Sequence, residues 1–144
     1  MHQFDLKNKT AVITGGAQGF GLDIAKKFLS SGSKVFIWDI DEKELLNATK
    51  QVNNSNLNYN VVDVSNFDQV QKTVNDIISK NKIDILINNA GITGPTAELW
   101  NYDIKDWNSI ININLHGTFY CCKSIVPHMI KNNYGRIVNI ASVA

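Results

Sequence analysis

The chain is poor in the features that announce several protein classes. Of its 144 residues only two are cysteine, Cys121 and Cys122, and they are adjacent. That spacing suits neither a metal site nor an ordinary structural disulfide, so reduced thiols in a cytoplasmic protein are expected. The three histidines, His2, His116 and His128, are scattered and show no ligand spacing with carboxylates, and no metal site is expected. Neither sign of charge dominates: 14 basic and 13 acidic side chains leave a formal +1. That balance offers nothing to nucleic acid or to an anionic membrane. No apolar run approaches the ~18–20 residues of a membrane-spanning helix. The start of the chain, Met1 to Lys9, carries Asp5 and no apolar stretch, unlike a secretory signal. Prolines number two, and there is no repeat, low-complexity tract or linker. What remains is one domain over 1–144, 44% hydrophobic and long enough for a real core.

Apolar segments alternate between two periods. Thr10–Thr14, Lys34–Asp39, Tyr59–Val64, Ile83–Asn88 and Arg136–Ser142 read as strands, the second being an apolar run suited to burial on both faces. Between them, Gly21–Ser31 carries Leu22, Ala25, Phe28 and Leu29 at helical spacing, and Gly32 stops it. Glu42–Val52 reads as a polar-faced helix, and Gln51–Asn60 as an Asn-rich surface loop. Ser65 opens a further helix, with Asp68 three residues on as a variant capping box and Val70, Val74, Ile77 and Ile78 as its stripe. A long helical stretch from Ile104 to Asn132 is expected to break near Asn112–Asn114, and Pro127 to kink it or end it early. Strands alternating with helices predict right-handed crossovers and a parallel α/β sheet of the doubly wound Rossmann type, strand order 3-2-1-4-5. Ligands bind such sheets where the order reverses, here between the first and fourth strands.

The turn that ends the first strand is Thr14-Gly15-Gly16-Ala17-Gln18-Gly19-Phe20-Gly21. Gly15 permits a tight turn with positive φ, while Gly19 and Gly21 keep Cβ atoms away from an approaching pyrophosphate. The following helix offers its free N–H groups and positive dipole end. No Gly-Lys-Ser/Thr follows, which excludes a nucleoside-triphosphate loop. A plain chain-reversing glycine turn is the alternative. Asp39 ends the second strand, eighteen residues after Gly21. A carboxylate there accepts from the hydroxyls of an adenosine ribose and repels a 2′-phosphate, favouring NAD(H) over NADP(H). Its other reading is a helix cap, a role for which Asp41 is better placed.

These residues resemble the short-chain dehydrogenase/reductase family, single-domain type. The glycine segment is similar to its Thr-Gly-x-x-x-Gly-x-Gly signature, and Asn88-Asn89-Ala90-Gly91 to its Asn-Asn-Ala-Gly. Asn114-Leu115-His116-Gly117-Thr118-Phe119 resembles its Asn-Leu-x-Gly-x-Phe helix segment, and Gly135 to Ser142 the strand ending in its catalytic serine. The resemblance implies that Gly15, Gln18, Gly19, Phe20 and Gly21 line a diphosphate. It implies that Asp39 and the backbone at Ile40 hold the adenosine ribose, and that Asp63 and the backbone at Val64 meet the adenine edge. Asn89, Ala90 and Gly91 would pass close to the ribose, and Asn88 would tie neighbouring strands. It implies two catalytic residues: Asn114, which positions a proton-relay water, and Ser142, which bonds the substrate oxygen. The alternatives are local: Asn114 bonding a backbone carbonyl at a kink, Ser142 ending a strand, Asp63 serving a loop.

The implied function is hydride exchange between nicotinamide and a carbonyl or secondary alcohol, similar to 3-oxoacyl-carrier-protein reductases or to sugar and polyol dehydrogenases. Asp39 argues against the former, many of which prefer NADP(H). A non-catalytic dinucleotide-binding module is the alternative. The family's Tyr-x-x-x-Lys pair would fall past Ala144, and none of Tyr59, Tyr102, Tyr120 or Tyr134 has lysine four positions on. A fragment of a longer reading frame is therefore expected, inactive alone, lacking the later strands of the sheet. The complete form is expected to act on a small carbonyl or alcohol substrate as a homodimer or homotetramer.

Overall fold

A computed structural model describes residues 4–142 of the chain, so His2 lies outside the described residues. Five parallel strands form one sheet in the order β3-β2-β1-β4-β5. They are β1 (Thr10–Thr14), β2 (Lys34–Asp39), β3 (Leu57–Val61), β4 (Ile85–Asn88) and β5 (Arg136–Asn139). The helices are α1 (Gly19–Ser30), α2 (Glu42–Val52), α3 (Phe67–Ile78), α4 (Ile104–Ile110) and α5 (Gly117–Lys131). A π-helical turn, Ile111–His116, joins the last two. No helix among the described residues is long and apolar enough to cross a membrane.

Period-two alternation within the central strands feeds two cores. Ala11, Ile13, Val35 and Ile37 face α1 and α2, where Leu22, Ala25, Leu29 and Leu45 meet them. Val12, Phe36, Trp38 and Leu86 face α3 and α5, against Val70, Val74, Cys121 and Ile125. The central strands, covered on both faces, carry apolar residues at successive positions, Ala11 to Ile13, Val35 to Trp38 and Ile85 to Ile87, as parallel sheets require.

Several boundaries differ from the sequence reading. β3 begins at Leu57 and pairs with Val35, so part of the expected polar loop is an edge strand. An edge strand tolerates Asn58 and Asn60 because only one of its sides is paired. Val62 to Val64, expected in that strand, lie beyond it. α1 begins at Gly19 rather than Gly21. Asn66, not Ser65, caps α3, its side chain accepting from the Gln69 backbone N–H at 3.1 Å. β5 ends at Asn139, although Ile140 N still donates to Asn88 O at 2.9 Å.

Pro127 neither ends nor interrupts α5, which runs on to Lys131. The carbonyl that Pro127 leaves without a helical donor belongs to Lys123, which is exposed and open to water. The last turn is anchored instead from outside. His128 Nε2 accepts from the backbone N–H of buried Ile83 at 3.2 Å, and the Asn132 side chain reaches back to His128 O at 2.8 Å.

Both thiols are free, Cys121 buried and Cys122 half-buried. Burial, and secondarily the neighbouring Cys122, pushes the Cys121 thiol from 9.0 up to about 12. The folded chain thus keeps a proton that the unfolded chain releases above the ordinary thiol range. The stability this group contributes is complete below that range and is lost as pH rises toward the folded value. Denaturation midpoints should fall as pH rises from 9 toward 12, with this thiol contributing about 1.4 kcal/mol per pH unit. Cys121→Ala should flatten that part of the profile; an unchanged slope would remove Cys121 from it.

Candidate active site

The carboxyl ends of β1 and β4 are spliced together where the strand order reverses. Thr14, buried at the end of β1, accepts on its hydroxyl from the backbone N–H groups of Asn89 and Ala90, each at 3.0 Å. Asn89 returns two bonds from Nδ2, to Thr14 O at 3.1 Å and Gly15 O at 3.0 Å. The next polar pair over joins β4 to β5: Asn88 Nδ2 donates to Asn139 Oδ1 at 2.8 Å. Asn88 therefore ties strands. Thr14 was not among the expected site residues; its buried position at the strand end, facing a second polar strand end, was the available signal.

The turn into α1 fits closely onto this splice. Gly15 has φ +61°, and a Cβ there would lie 2.9 Å from Ala90 Cα. Gly21 has a requirement different from the expected one. A Cβ on it would meet the Gly15 carbonyl oxygen and the Asn89 amide, so its bare backbone lets the first turn of α1 pack on the loop. Gly19, at φ +55°, faces open space. Phe20 is 80% exposed at the helix start, and neither it, Gly19 nor Gly21 lines the adjoining cleft. No side chain caps α1, whereas Asp41, Asn66 and Asp103 cap α2, α3 and α4. An uncapped N-terminus leaves N–H groups and the positive dipole end available to an anion.

That cleft, about 490 Å³, opens beside the loop and gathers most of the expected residues. Gly15 and Gln18 form one wall, Asp39 and Ile40 a second, Asp63 and Val64 a third, and Asn89, Ala90 and Gly91 a fourth. The Gly15–Gly21 turn and Asp39 face one another, with Ala17 N 3.4 Å from Asp39 Oδ2. The other oxygen of Asp39 accepts from Asp41 N at 3.3 Å, while Asp41 itself caps α2 through Glu44 N at 3.0 Å. Asp63 is oriented by Ser65, whose N–H and hydroxyl bond Asp63 Oδ1 at 2.9 and 2.6 Å. Three carboxylates, Asp39, Asp41 and Asp63, therefore border the cleft, and among the described residues no lysine or arginine lines it.

Asn114 and Ser142 stand outside this lining. Asn114 sits in the π-helical turn and grips the Ile92 backbone in both directions, Nδ2 to Ile92 O at 2.8 Å and Ile92 N to Oδ1 at 2.9 Å. Its own carbonyl accepts the Thr118 hydroxyl at 3.1 Å. Ser142 follows β5 three residues past its end and is exposed. Among the described residues no group of three or more His, Cys, Asp or Glu could hold a metal ion.

The splice makes Thr14 separable from its neighbours. Thr14→Val keeps the volume but strands two backbone donors, which should cost about 2–4 kcal/mol in urea unfolding. Thr14→Ser should recover most of that loss; equal stability of all three would show that the hydroxyl holds nothing.

Known proteins share this arrangement. Residues 9–144 match the family described as short chain dehydrogenase. The chain is 38% identical over 137 residues to a 2-dehydro-3-deoxy-L-rhamnonate dehydrogenase (NAD(+)) of Sphingomonas, covering 94% of this chain and 54% of that one. It is 39% identical over 141 residues to a 3-oxoacyl-[acyl-carrier-protein] reductase of Chlamydia pneumoniae, covering 96% and 56%. Its fold superimposes with TM-score 0.89 on a gluconate 5-dehydrogenase of Burkholderia cenocepacia, solved with NADP and tartrate, at 31% identity, covering 98% and 56%. The chain thus spans about half the length of the relatives it matches. With its strand order, its Gly15–Gly21 turn and its Asn88–Gly91 segment all in the expected places, the chain belongs to the short-chain dehydrogenase/reductase family.

Proposed function

We propose that the protein binds NAD(H) in preference to NADP(H), and that in its complete form it exchanges hydride with a carbonyl or secondary alcohol. The observation that carries this reading is the shared cleft of the phosphate turn and Asp39, bordered by carboxylates and by no cation. The uncapped start of α1, with the N–H groups of Gly19 and Phe20, holds the diphosphate. Gly15 and Gln18 flank it, and Gly21 supports the turn from behind. Asp39 accepts from the ribose hydroxyls, with the Ile40 backbone beside it. Asp63, already oriented by Ser65, and Val64 meet the adenine edge. Asn89, Ala90 and Gly91 border the second ribose.

When bound, the nicotinamide supplies or accepts the hydride. We assign the substrate's oxygen to Ser142 as hydrogen-bond donor, and the proton path to the Asn114 turn. The relatives' names include sugar-acid dehydrogenases and 3-oxoacyl reductases. Asp39 argues against the 3-oxoacyl reductases, many of which prefer NADP(H), and leaves a small polyhydroxylated acid or its keto form as the substrate class we propose. We further propose that the complete protein works in the cytoplasm as a homodimer or homotetramer.

A 2′-phosphate would bring its negative charge against Asp39 with no basic side chain to receive it. At a separation of a few ångströms and an effective dielectric near 20–40, such repulsion is worth about 1–3 kcal/mol, or roughly tenfold to a hundredfold in affinity. NADH fluorescence titration should therefore show tighter binding than NADPH by that margin. Asp39→Ser should weaken NADH and bring the two nucleotides to within about threefold. Failure of the protein to bind either nucleotide would refute the reading, and discrimination that survives Asp39→Ser would move its cause elsewhere. Tight binding with no carbonyl-dependent NADH oxidation by the complete protein would favour a non-catalytic binding module.

A further inference from the structure

A formal charge of +1 conceals a separation of charge along the strand axis. In a parallel sheet with helical crossovers, strand starts and helix C-termini share one end of the molecule. Asp39, Asp41, Glu42, Glu44, Asp63 and Asp68 lie at the other end, at strand ends and helix starts. At the starting end, Lys27, Lys50, Lys80 and Lys131, with Asp76 among them, stand at or just past helix C-termini, where the helix dipole accounts for the lysines. It does not account for Lys7, Lys9, Lys34, Lys82 and Arg136, which sit in turns and at the first positions of strands. Against these five stand, among the described residues, two carboxylates, Asp5 and Asp84. Asp84 is buried: its Oδ2 accepts from Thr10 N at 2.9 Å, and Lys9 Nζ lies 4.0 Å from its other oxygen.

Four of the five cations form a row. Lys34 begins β2, Lys9 precedes β1, Lys82 precedes β4 and Arg136 begins β5, so the sheet order sets them side by side. Adjacent strands lie ~4.8 Å apart, which makes the row about 14 Å long. Contacts draw the heads of three of them toward β4 and β5. Lys34 Nζ reaches past β1 to donate to Asn81 Oδ1, ahead of β4, at 2.7 Å. Lys9 Nζ lies 3.7 Å from the centroid of the Tyr134 ring, and Arg136 Cζ 5.0 Å from it. Like charges gathered this way repel one another, and a bound polyanion relieves the repulsion.

We infer that this end of the sheet docks a single strand of RNA through its phosphates, on the face opposite the nucleotide cleft. Phosphates repeat along a strand at a spacing of the same order as the cations of the row. A bilayer spreads its charge over an area, which a row matches less well. Asn8 and Asn133, both exposed in turns with positive φ, flank the row. Their carboxamides donate and accept, which suits ribose 2′-hydroxyls. Contacts of this kind hold the backbone and carry no base preference.

The test is fluorescence anisotropy of a labelled twelve-nucleotide oligouridylate with the purified protein. Neutralising about four phosphates should give a Kd of about 10 μM at ~50 mM salt and a log–log salt slope near about −3, so that binding is roughly fiftyfold weaker by ~200 mM. The deoxy strand of the same length should bind about threefold more weakly. Lys82→Glu with Arg136→Glu should lower affinity by more than roughly tenfold and halve the slope, with circular dichroism unchanged. Lys82→Arg with Arg136→Lys should keep both affinity and slope. Salt titration of the unsubstituted protein reads the slope without a variant. Millimolar NADH should leave the strand bound, because the nucleotide cleft lies at the other end of the sheet. Four results would each overturn the inference: no binding by about 100 μM protein at ~50 mM salt, displacement by NADH, a deoxy strand bound as tightly as RNA, or tighter binding to vesicles of phosphatidylcholine with about 30% phosphatidylserine.

Discussion

The splice between the ends of β1 and β4 is the constraint on which the rest of the site depends. Two parallel strands that diverge into loops at the same end leave several backbone groups without ladder partners. Here one hydroxyl, Thr14, receives two of those N–H groups, and one carboxamide, Asn89, covers two of the carbonyls. Because each partner satisfies the other's strand, neither loop can shift independently. That rigidity holds the Gly15–Gly21 turn against Ala90 and keeps the cleft open between them. The lack of side chains at Gly15 and Gly21 follows from the same packing: there is no room for a Cβ in a joint this tight.

Helix capping divides the molecule into ends that are chemically finished and one that is not. Asp41 and Asn66 each accept an N–H from the first turn of their own helix, so α2 and α3 present no demand for a ligand. α1 has no side-chain cap, and its N-cap residue Gln18 lines the cleft that Asp39 also borders. The placement separates two electrostatic tasks within a short distance. Positive dipole and N–H groups gather at the turn, suited to a diphosphate, while carboxylates gather at the strand ends beyond it, suited to hydroxyl and amino donors. An adenine dinucleotide carries those groups in that order.

Much of this was legible from residue patterns. Apolar runs with a glycine-rich turn between them were enough to specify the strand order, and Asp39 and Asp41 could be told apart because a cap must sit beside the helix it serves. Other features were hidden for definable reasons. β3 begins earlier than its apolar pattern predicts because Asn58 and Asn60 are polar, and an edge strand with one free side does not need apolar residues to pair. Ser65 was read as a cap because its type suits one, but its hydroxyl is committed to Asp63, leaving Asn66 to do the capping. Gly21 is expected beside the ligand, and packing on Gly15 and Asn89 requires it as well, since a glycine pattern cannot distinguish which neighbour forbids the Cβ. A threonine in a strand is ordinary, and only the approach of β4, more than seventy residues later, gives the Thr14 hydroxyl two donors.

Asn88, Asn89 and Asn114 show how far residue type falls short of role. All three are asparagines near strand ends or a helix break, and each carries a carboxamide that can donate and accept. Asn88 faces along the sheet and spends its donor on β5; Asn89 faces across the strand order reversal and spends its donors on the turn. Asn114 alone uses donor and acceptor together, on one residue, Ile92. A two-way grip of that kind fixes a peptide unit in orientation as well as position, which a single bond does not. The grip coincides with the break in the helix. Asn114 lies within the i→i+5 turn Ile111–His116, which widens the helix there without interrupting the run from Ile104 to Lys131.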